Sequence, residues 1–287
     1  MNEDQAREYI ERVRWGNNPI CPHCSAGSAT KLNGNATRPG VYKCKSCKGQ
    51  FTVTTSTVFH GTHIPLRIIL AAFYLVCSAR KGISSKQLAR DLGLSYKTAW
   101  YMALRIRCSL DSGDFMLSGI VEVDETYVGG KGRFSKKGRG TNKIPLVALV
   151  ERKGRVKTEL VGSVKRWELW NTIFDHVDKN AIIMTDDWPS YRGLKNYYKD
   201  HKIINHSQRQ YVQGEVYTNT AECYFAVFKR AYHGTFHSIS KRYLQKYCNE
   251  FNFRWNHRHK PMKEVLIIAI RMMKGEKITY KNRRKSL

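Results

Sequence analysis

The chain has 287 residues, of which 50 are Lys or Arg against 23 Asp or Glu, a formal net charge of +27 at pH 7. That excess points to a polyanionic partner. With 41% hydrophobic and 11% aromatic residues, a chain this long can bury sizeable cores and should hold two or three domains, so it is neither a disordered tail nor a miniature scaffold. No run approaches the roughly 18 apolar residues of a membrane span, and the opening MNEDQAREYIERVRW is charged and amphipathic, without the apolar core of a signal peptide. The expectation is a soluble, cytoplasmic protein with no membrane partner.

Residues 2–15 place Ala6, Tyr9, Ile10 and Val13 at helical spacing, so 1–18 is read as an N-terminal helix. Residues 19–60 are rich in cysteine, glycine and β-formers (VYKC, QFTVTTSTVF), which suits a small knuckle-and-hairpin unit. Within it, Cys21-Pro22-His23-Cys24 and Cys44-Lys45-Ser46-Cys47 form two CxxC pairs with 19 residues between them, a spacing suited to one structural, tetrahedral Zn²⁺ site. Metal binding would supply most of the folding free energy of so small a unit. Four unliganded buried thiols are the plain alternative, because cysteine is a common core residue. Cys77, Cys108, Cys223 and Cys248 sit singly in helical patterns and read as core residues.

Pro65 opens the apolar run LRIILAAFYLVCSAR as a proline at the first helical position would, predicting a core helix over 66–79. Gly82 and Ser84-Ser85 break it. In SSKQLARDLGLSYKTAWYMALRIR, residues Leu88, Ala89, Leu92, Leu94, Ala99, Trp100, Met102, Ala103 and Ile106 give two helices their apolar faces on either side of a Gly93-Leu94-Ser95 turn. Ser95 is the expected N-cap of the second helix. Tyr96, Lys97 and Thr98 then stand at its exposed start, where a recognition helix contacts base edges, and Lys86 adds a cation on the first helix. An ordinary helical hairpin fits the same pattern. The position of the segment, between a cysteine-rich unit and a basic α/β region, favours an all-α helix-turn-helix module over 61–115.

From Gly119 the period becomes that of strands: GIVEVDETYVGG, IPLVALVERKG and RVKTELVGSV, followed by an amphipathic stretch (RWELWNTIFDHV), a fourth strand (AIIMTDD), a polar helix (SYRGLKNYYKDH) and a fifth strand (KIINHS). A meander followed by alternating helix and strand indicates an α/β domain with a mixed sheet, here 118–260, with a C-terminal helix and basic tail over 261–287. Strand alternation puts Glu122, Asp124 and Thr126 on one face. Asp186 closes the fourth strand, at the carboxyl end where open α/β sheets gather ligands, and Glu222 lies in a helix that starts NTAE. Singly, each has a plainer reading: an exposed strand residue, a turn pair Asp186-Asp187, an Asn219-x-x-Glu222 capping box. Together, the order first strand, fourth strand, late helix is the one by which an RNase H-like fold brings three carboxylates to one edge of its sheet.

On these stretches the chain resembles the DDE transposases of bacterial insertion sequences that carry an N-terminal zinc ribbon, relatives of the eukaryotic Merlin-type transposases. The matching segments are CPHC with CKSC, GQFTVTTSTVFHGTHIPL, VEVDETYVGGK, MTDDWPSY, INHSQRQYV, NTAECYFAVFKR and HGTFHSISKRYLQKYCNEFNFRWNHR, spanning about residues 18–260. The resemblance implies an RNase H-like catalytic domain with Asp124, Asp186 and Glu222 as its triad, 35 residues separating the last two, and Phe225 where the family often has tryptophan. It implies phosphodiester hydrolysis and strand transfer on double-stranded DNA, with terminal inverted repeats and target DNA as partners. A homodimer or larger assembly on DNA, at the nucleoid of a bacterial host, belongs to the same expectation.

Three carboxylates converging in so positive a chain call for divalent cations, and oxygen-only ligands favour Mg²⁺ or Mn²⁺, two per site. In the basic segment 131–143, Lys131, Arg133, Lys136, Lys137 and Arg139 would track phosphates or reach a partner protomer, with a solvated charged hairpin as the alternative. Lys229, Arg230, Arg254 and Arg258 are further expected DNA contacts. His206 either orients a phosphate or a water molecule or is a hydrogen-bonded structural histidine. Two other functions share many of these features: a DNA-binding regulator without catalysis, and an RNase H-like nuclease that does not transpose.

Overall fold

The computed structural model describes residues 1–34, 37–130, 141, 143–204 and 218–275. The chain divides into two compact units, Met1–Asp111 with His259–Leu287, and Ser112–Arg258.

The first unit opens with α1 (Glu3–Trp15), started by a capping box in which Asn2 and Gln5 satisfy each other's backbone N–H groups. Strands β1 (Ala29–Lys31), β2 (Tyr42–Cys44) and β3 (Gln50–Phe51) form a three-stranded antiparallel sheet in that order. So small a sheet has little apolar surface of its own. Trp15 extends it, its ring meeting Tyr42 and Phe51 edge-on at 5.3 and 5.7 Å, while the Tyr42 hydroxyl donates to Glu11 at 2.8 Å.

Helix α2 (Leu66–Ser78) has Pro65 at its N-cap, one position earlier than the sequence reading placed it. A proline cannot cap with its side chain; instead Glu3 of α1 accepts from the N–H groups of Leu66 and Arg67 at 2.7 and 3.2 Å. Helices α3 (Ser85–Leu92) and α4 (Tyr96–Ser109) are each started by a serine, Ser84 bonding the N–H of Gln87 and Ser95 that of Thr98. Between them Gly93 takes φ +62°, the left-handed conformation that ends a helix at little steric cost for glycine. Leu88, Ala89, Ala99, Met102, Ala103 and Ile106 are buried, and a C-terminal helix, Met262–Arg271, packs on α1 and α2.

The second unit is built on strands β4 (Ile120–Val128), β5 (Ile144–Glu151), β6 (Val156–Leu160), β7 (Ile182–Asp186) and β8 (Asp200–Ile204), with helices α5 (Arg166–His176), α6 (Asn219–Ala231) and α7 (Lys241–Asn256). The sheet order is β6-β5-β4-β7-β8; β4, β5 and β6 form an antiparallel meander, and β7 and β8 run parallel to β4. This is the topology of the RNase H-like fold. One face, with Leu146, Ala148, Val150 and Val156, packs on Phe225, Phe228 and Phe251 of α6 and α7; the other, with Val121, Val123, Val147, Leu149 and Ile183, packs on Leu169 and Ile173 of α5. The polar helix expected over SYRGLKNYYKDH does not form. Two 3₁₀ turns, Pro189–Tyr191 and Leu194–Asn196, replace it, because Gly193 between them takes φ +99° and Tyr191 and Leu194 turn into the core. Among the described residues no helix is long and apolar enough to cross a membrane.

Candidate functional site

The pleat of β4 sends alternate residues to opposite faces, and Glu122, Asp124 and Thr126 share the face that meets α6. The parallel register pairs Glu122 with Met184; continued by two residues, it sets Asp186, the last residue of β7, beside Asp124. Glu222 stands on the first turn of α6. Asp124 therefore has its carboxyl pushed up to about 7, by burial first and then by the negative charges of Glu125, Asp186 and Glu222, although the N–H of Glu125 at 2.8 Å favours its ionised form. Glu125 points to the opposite face, where it accepts a 2.7 Å bond from the hydroxyl of the fully buried Tyr191.

The first turn of α6 is held from a distance. Its N-cap residue, Thr218, makes no side-chain cap, and the Asn219–Glu222 capping box does not form, since Asn219 is already inside the helix. Glu122 supplies the acceptors instead. Its Oε2 accepts from the N–H groups of Thr220 and Ala221 at 2.8 and 3.1 Å, and its Oε1 accepts from the Thr220 hydroxyl at 2.9 Å and from Arg152 Nε at 2.8 Å. Glu122 is completely buried. Sequence reasoning placed Glu122 on the correct face and gave it no role; the only signal was its two-residue spacing from Asp124.

The four cysteines form the second centre. Two knuckles share one construction: the N–H of Cys21 bonds the carbonyl of Ala26 and that of Cys44 the carbonyl of Gly49, both at 2.9 Å, and Ser25 and Lys48, each directly after a pair, take φ +61° and +60°. The Sγ atoms of Cys21 and Cys47 lie 3.7 Å apart, those of Cys24 and Cys44 3.6 Å, and all four fall within 4.8 Å of one another. Sulfurs about 2.3 Å from the centre of a tetrahedron stand about 3.8 Å apart, so the set fits Zn²⁺. The N–H of Cys47 draws the Cys44 thiol down to about 6, against the opposing effect of desolvation, which readies it as a thiolate ligand. Among the described residues, this is the one group of three or more His, Cys, Asp or Glu gathered so tightly; the three acidic residues stand further apart.

The remaining expected contacts separate by position. Lys86, Tyr96 and Lys97 are exposed on α3 and at the start of α4, with Thr98 half-buried beside them. Lys229 and Arg230 are exposed in the last turn of α6. Arg254 is turned inward, paired with the buried Glu250 and lying 4.2 Å from the Phe251 ring centroid. Arg258 donates to the carbonyls of Gly154 and Trp255 at 3.0 and 2.8 Å. Arg254 is thus engaged within the second unit, while Arg258 is exposed. Lys131, Arg133, Lys136, Lys137, Arg139 and His206 lie outside the described residues.

Residues 116–256 match the ISXO2-like transposase domain, and residues 1–50 match the transposase zinc-ribbon domain. A protein of transposable element ISH50 from Halobacterium salinarum is 29% identical over 284 aligned residues, covering 93% of this chain and 95% of that protein. Among solved structures, a Mos1 strand transfer complex is similar at 15% identity and TM-score 0.31 over 71% of this chain and 74% of that one. A simian T-cell lymphotropic virus intasome is similar at 13% identity and TM-score 0.31 over 67% and 73%. The two matched segments, with the cysteine tetrahedron in the first and the RNase H-like sheet order in the second, give this chain a transposase zinc-ribbon domain followed by an ISXO2-like transposase domain.

Proposed function

We propose that the protein binds the terminal inverted repeats of its insertion sequence, hydrolyses the phosphodiester at each end, and joins the liberated 3′-OH to target DNA. Asp124, Asp186 and Glu222 are the catalytic carboxylates. The observation that carries this reading is the gathering of the three carboxylates: Asp124 on β4 lies within reach of the negative charges of both Asp186, at the end of β7, and Glu222, on the first turn of α6. A cation placed against such a group favours its ionised, ligating form.

All three residues offer oxygen, the donor that Mg²⁺ and Mn²⁺ prefer, so they fit the divalent ions that this chemistry requires. Held by Asp124, Asp186 and Glu222, such ions would supply activation of the attacking oxygen and charge stabilisation of the leaving 3′-oxygen. The protein's own part is positional. β4 and β7, parallel neighbours in the sheet, carry Asp124 and Asp186, and α6 carries Glu222 on its first turn. Lys229 and Arg230, exposed further along α6, and the 131–143 segment with Lys131, Arg133, Lys136, Lys137 and Arg139 are assigned to the phosphate backbone. Residues 61–115 serve as the helix-turn-helix, with Lys86, Tyr96, Lys97 and Thr98 reading the end sequence. Joining two ends in concert requires at least a dimer on DNA, acting at the host nucleoid.

The test is Glu222→Gln, which keeps the side chain's size and removes its charge. End cleavage and strand transfer should both vanish while end binding persists. Strand transfer retained with Mg²⁺ in this variant refutes the assignment of Glu222.

A further inference from the structure

We infer that Glu122 is a positioning residue: by tying the first turn of α6 to β4 it sets where Glu222 stands relative to Asp124. The inference rests on the transposase reading of Glu222. A helix start leaves N–H groups that need acceptors, and sequence-local capping is the ordinary solution. Here the acceptor comes from another element, since Thr218 makes no side-chain cap and Glu122 takes the N–H groups of Thr220 and Ala221. Those two residues immediately precede Glu222, and Glu122 precedes Asp124 by two residues on the same face of β4. Asp124 and Glu222 are thus joined by one strand step, one carboxylate and one helical step. No flexible side chain intervenes except Glu122 itself.

That side chain is immobilised. Its two oxygens accept four hydrogen bonds, from two backbone N–H groups, the Thr220 hydroxyl and Arg152, and it is completely buried. Charge-assisted bonds to backbone N–H and guanidinium are among the stronger and more directional kinds. Burying a carboxylate this way adds little net stability over an apolar residue of the same volume. What it adds is a fixed distance and orientation between two elements, and misplacing a reacting group by about 1 Å can slow a reaction about 10²-fold.

The experiment uses the full chain with its zinc bound and duplexes of the element's own ends. End cleavage is titrated with Mg²⁺ for wild type, Glu122→Gln, Thr220→Val, the double variant and Glu222→Gln, with end binding and thermal unfolding measured in parallel. Glu122→Gln should bind ends like wild type and require at least 10-fold more Mg²⁺ for half-maximal cleavage. Thr220→Val, which removes only the hydroxyl bond, should shift that midpoint about 3-fold, and the two effects should be less than additive in the double variant. A purely structural role would lower the unfolding temperature and leave the Mg²⁺ midpoint of the folded protein where it was; that result overturns the inference. If Glu122→Gln does not fold, an unchanged midpoint in Thr220→Val overturns it as well. Cleavage retained by Glu222→Gln would instead refute the underlying site, an outcome distinct from a dead Glu222→Gln beside a Glu122→Gln with wild-type Mg²⁺ dependence.

Discussion

Replacing Asp124 with asparagine substitutes a neutral group of the same shape for a carboxyl that resists ionisation. Burial first, then Glu125, Asp186 and Glu222, raise that carboxyl from its ordinary 3.8 to about 7. Between those values the folded protein keeps a proton that the unfolded chain has lost, so stability present below pH 3.8 is lost as pH rises through 7. At about 1.36 kcal/mol per pH unit the loss has a ceiling of about 4 kcal/mol. Residual contact of the side chain with water, and relaxation around it, reduce this to about 2–3 kcal/mol. The asparagine of the variant cannot titrate and should escape the loss. Its Oδ1 can still accept the Glu125 N–H bond that Asp124 accepts at 2.8 Å.

Thermal unfolding of wild type and Asp124→Asn, in Mg²⁺-free buffer with the ribbon's zinc retained, checks the argument at pH 5 and pH 8. The variant should gain on wild type between the two, which take in about two of the three pH units over which the loss builds, by roughly 3–7 °C in the transition of the second unit. Added Mg²⁺ should raise the wild-type transition at pH 8 and leave that of the variant unchanged, because ligand binding to the native state alone stabilises it. A stability difference that is the same at both pH values refutes the reasoning. So does a variant that Mg²⁺ stabilises as well as it does wild type.

Cys44→Ser should lower bound zinc below one per chain and release α1 from the ribbon, seen as loss of amide-exchange protection around Trp15, whose ring lies 5.3 Å from Tyr42. Phe228→Ala empties a site that is 1% exposed and packed edge-on against Phe251 at 5.1 Å. Denaturant unfolding of the second unit should report a loss of about 3–5 kcal/mol. Lys229→Ala, exposed in the last turn of α6, should weaken DNA binding and reduce the slope of log K against log salt by about 0.9, measured by fluorescence anisotropy over a salt series; an unchanged slope removes Lys229 from the phosphate contacts.

Much of this architecture is legible where the determining interactions are local. The knuckle spacing of Cys21, Cys24, Cys44 and Cys47 is enough for the zinc geometry, because each pair closes its own turn. Ser95 caps α4 as its position suggests, and strand alternation assigns Glu122, Asp124 and Thr126 to one face of β4. The RNase H-like order follows from the succession of strands, since a meander and parallel additions admit few alternatives. What could not be read depends on partners far away in the chain. Glu3 starts α2 from 63 residues away, and Glu122 starts α6 from 98. Local rules pointed instead to Pro65 at the first helical position and to an Asn219 capping box. The stretch after β7 reads as helical by composition, yet Gly193 and the burial of Tyr191 and Leu194 turn it into two short 3₁₀ segments. The pairing of Arg254 with Glu250 is likewise not visible in the charge pattern, because it depends on the burial of Glu250.

The central claim is that Asp124, Asp186 and Glu222 act together, with divalent metal, in breaking and joining DNA. Strand transfer by wild type and Asp186→Asn, on duplexes of the element's own ends with and without Mg²⁺, tests it most directly. Joint molecules should form only with wild type and only with Mg²⁺. Joining by Asp186→Asn, or by wild type in the absence of any divalent ion, would contradict the account.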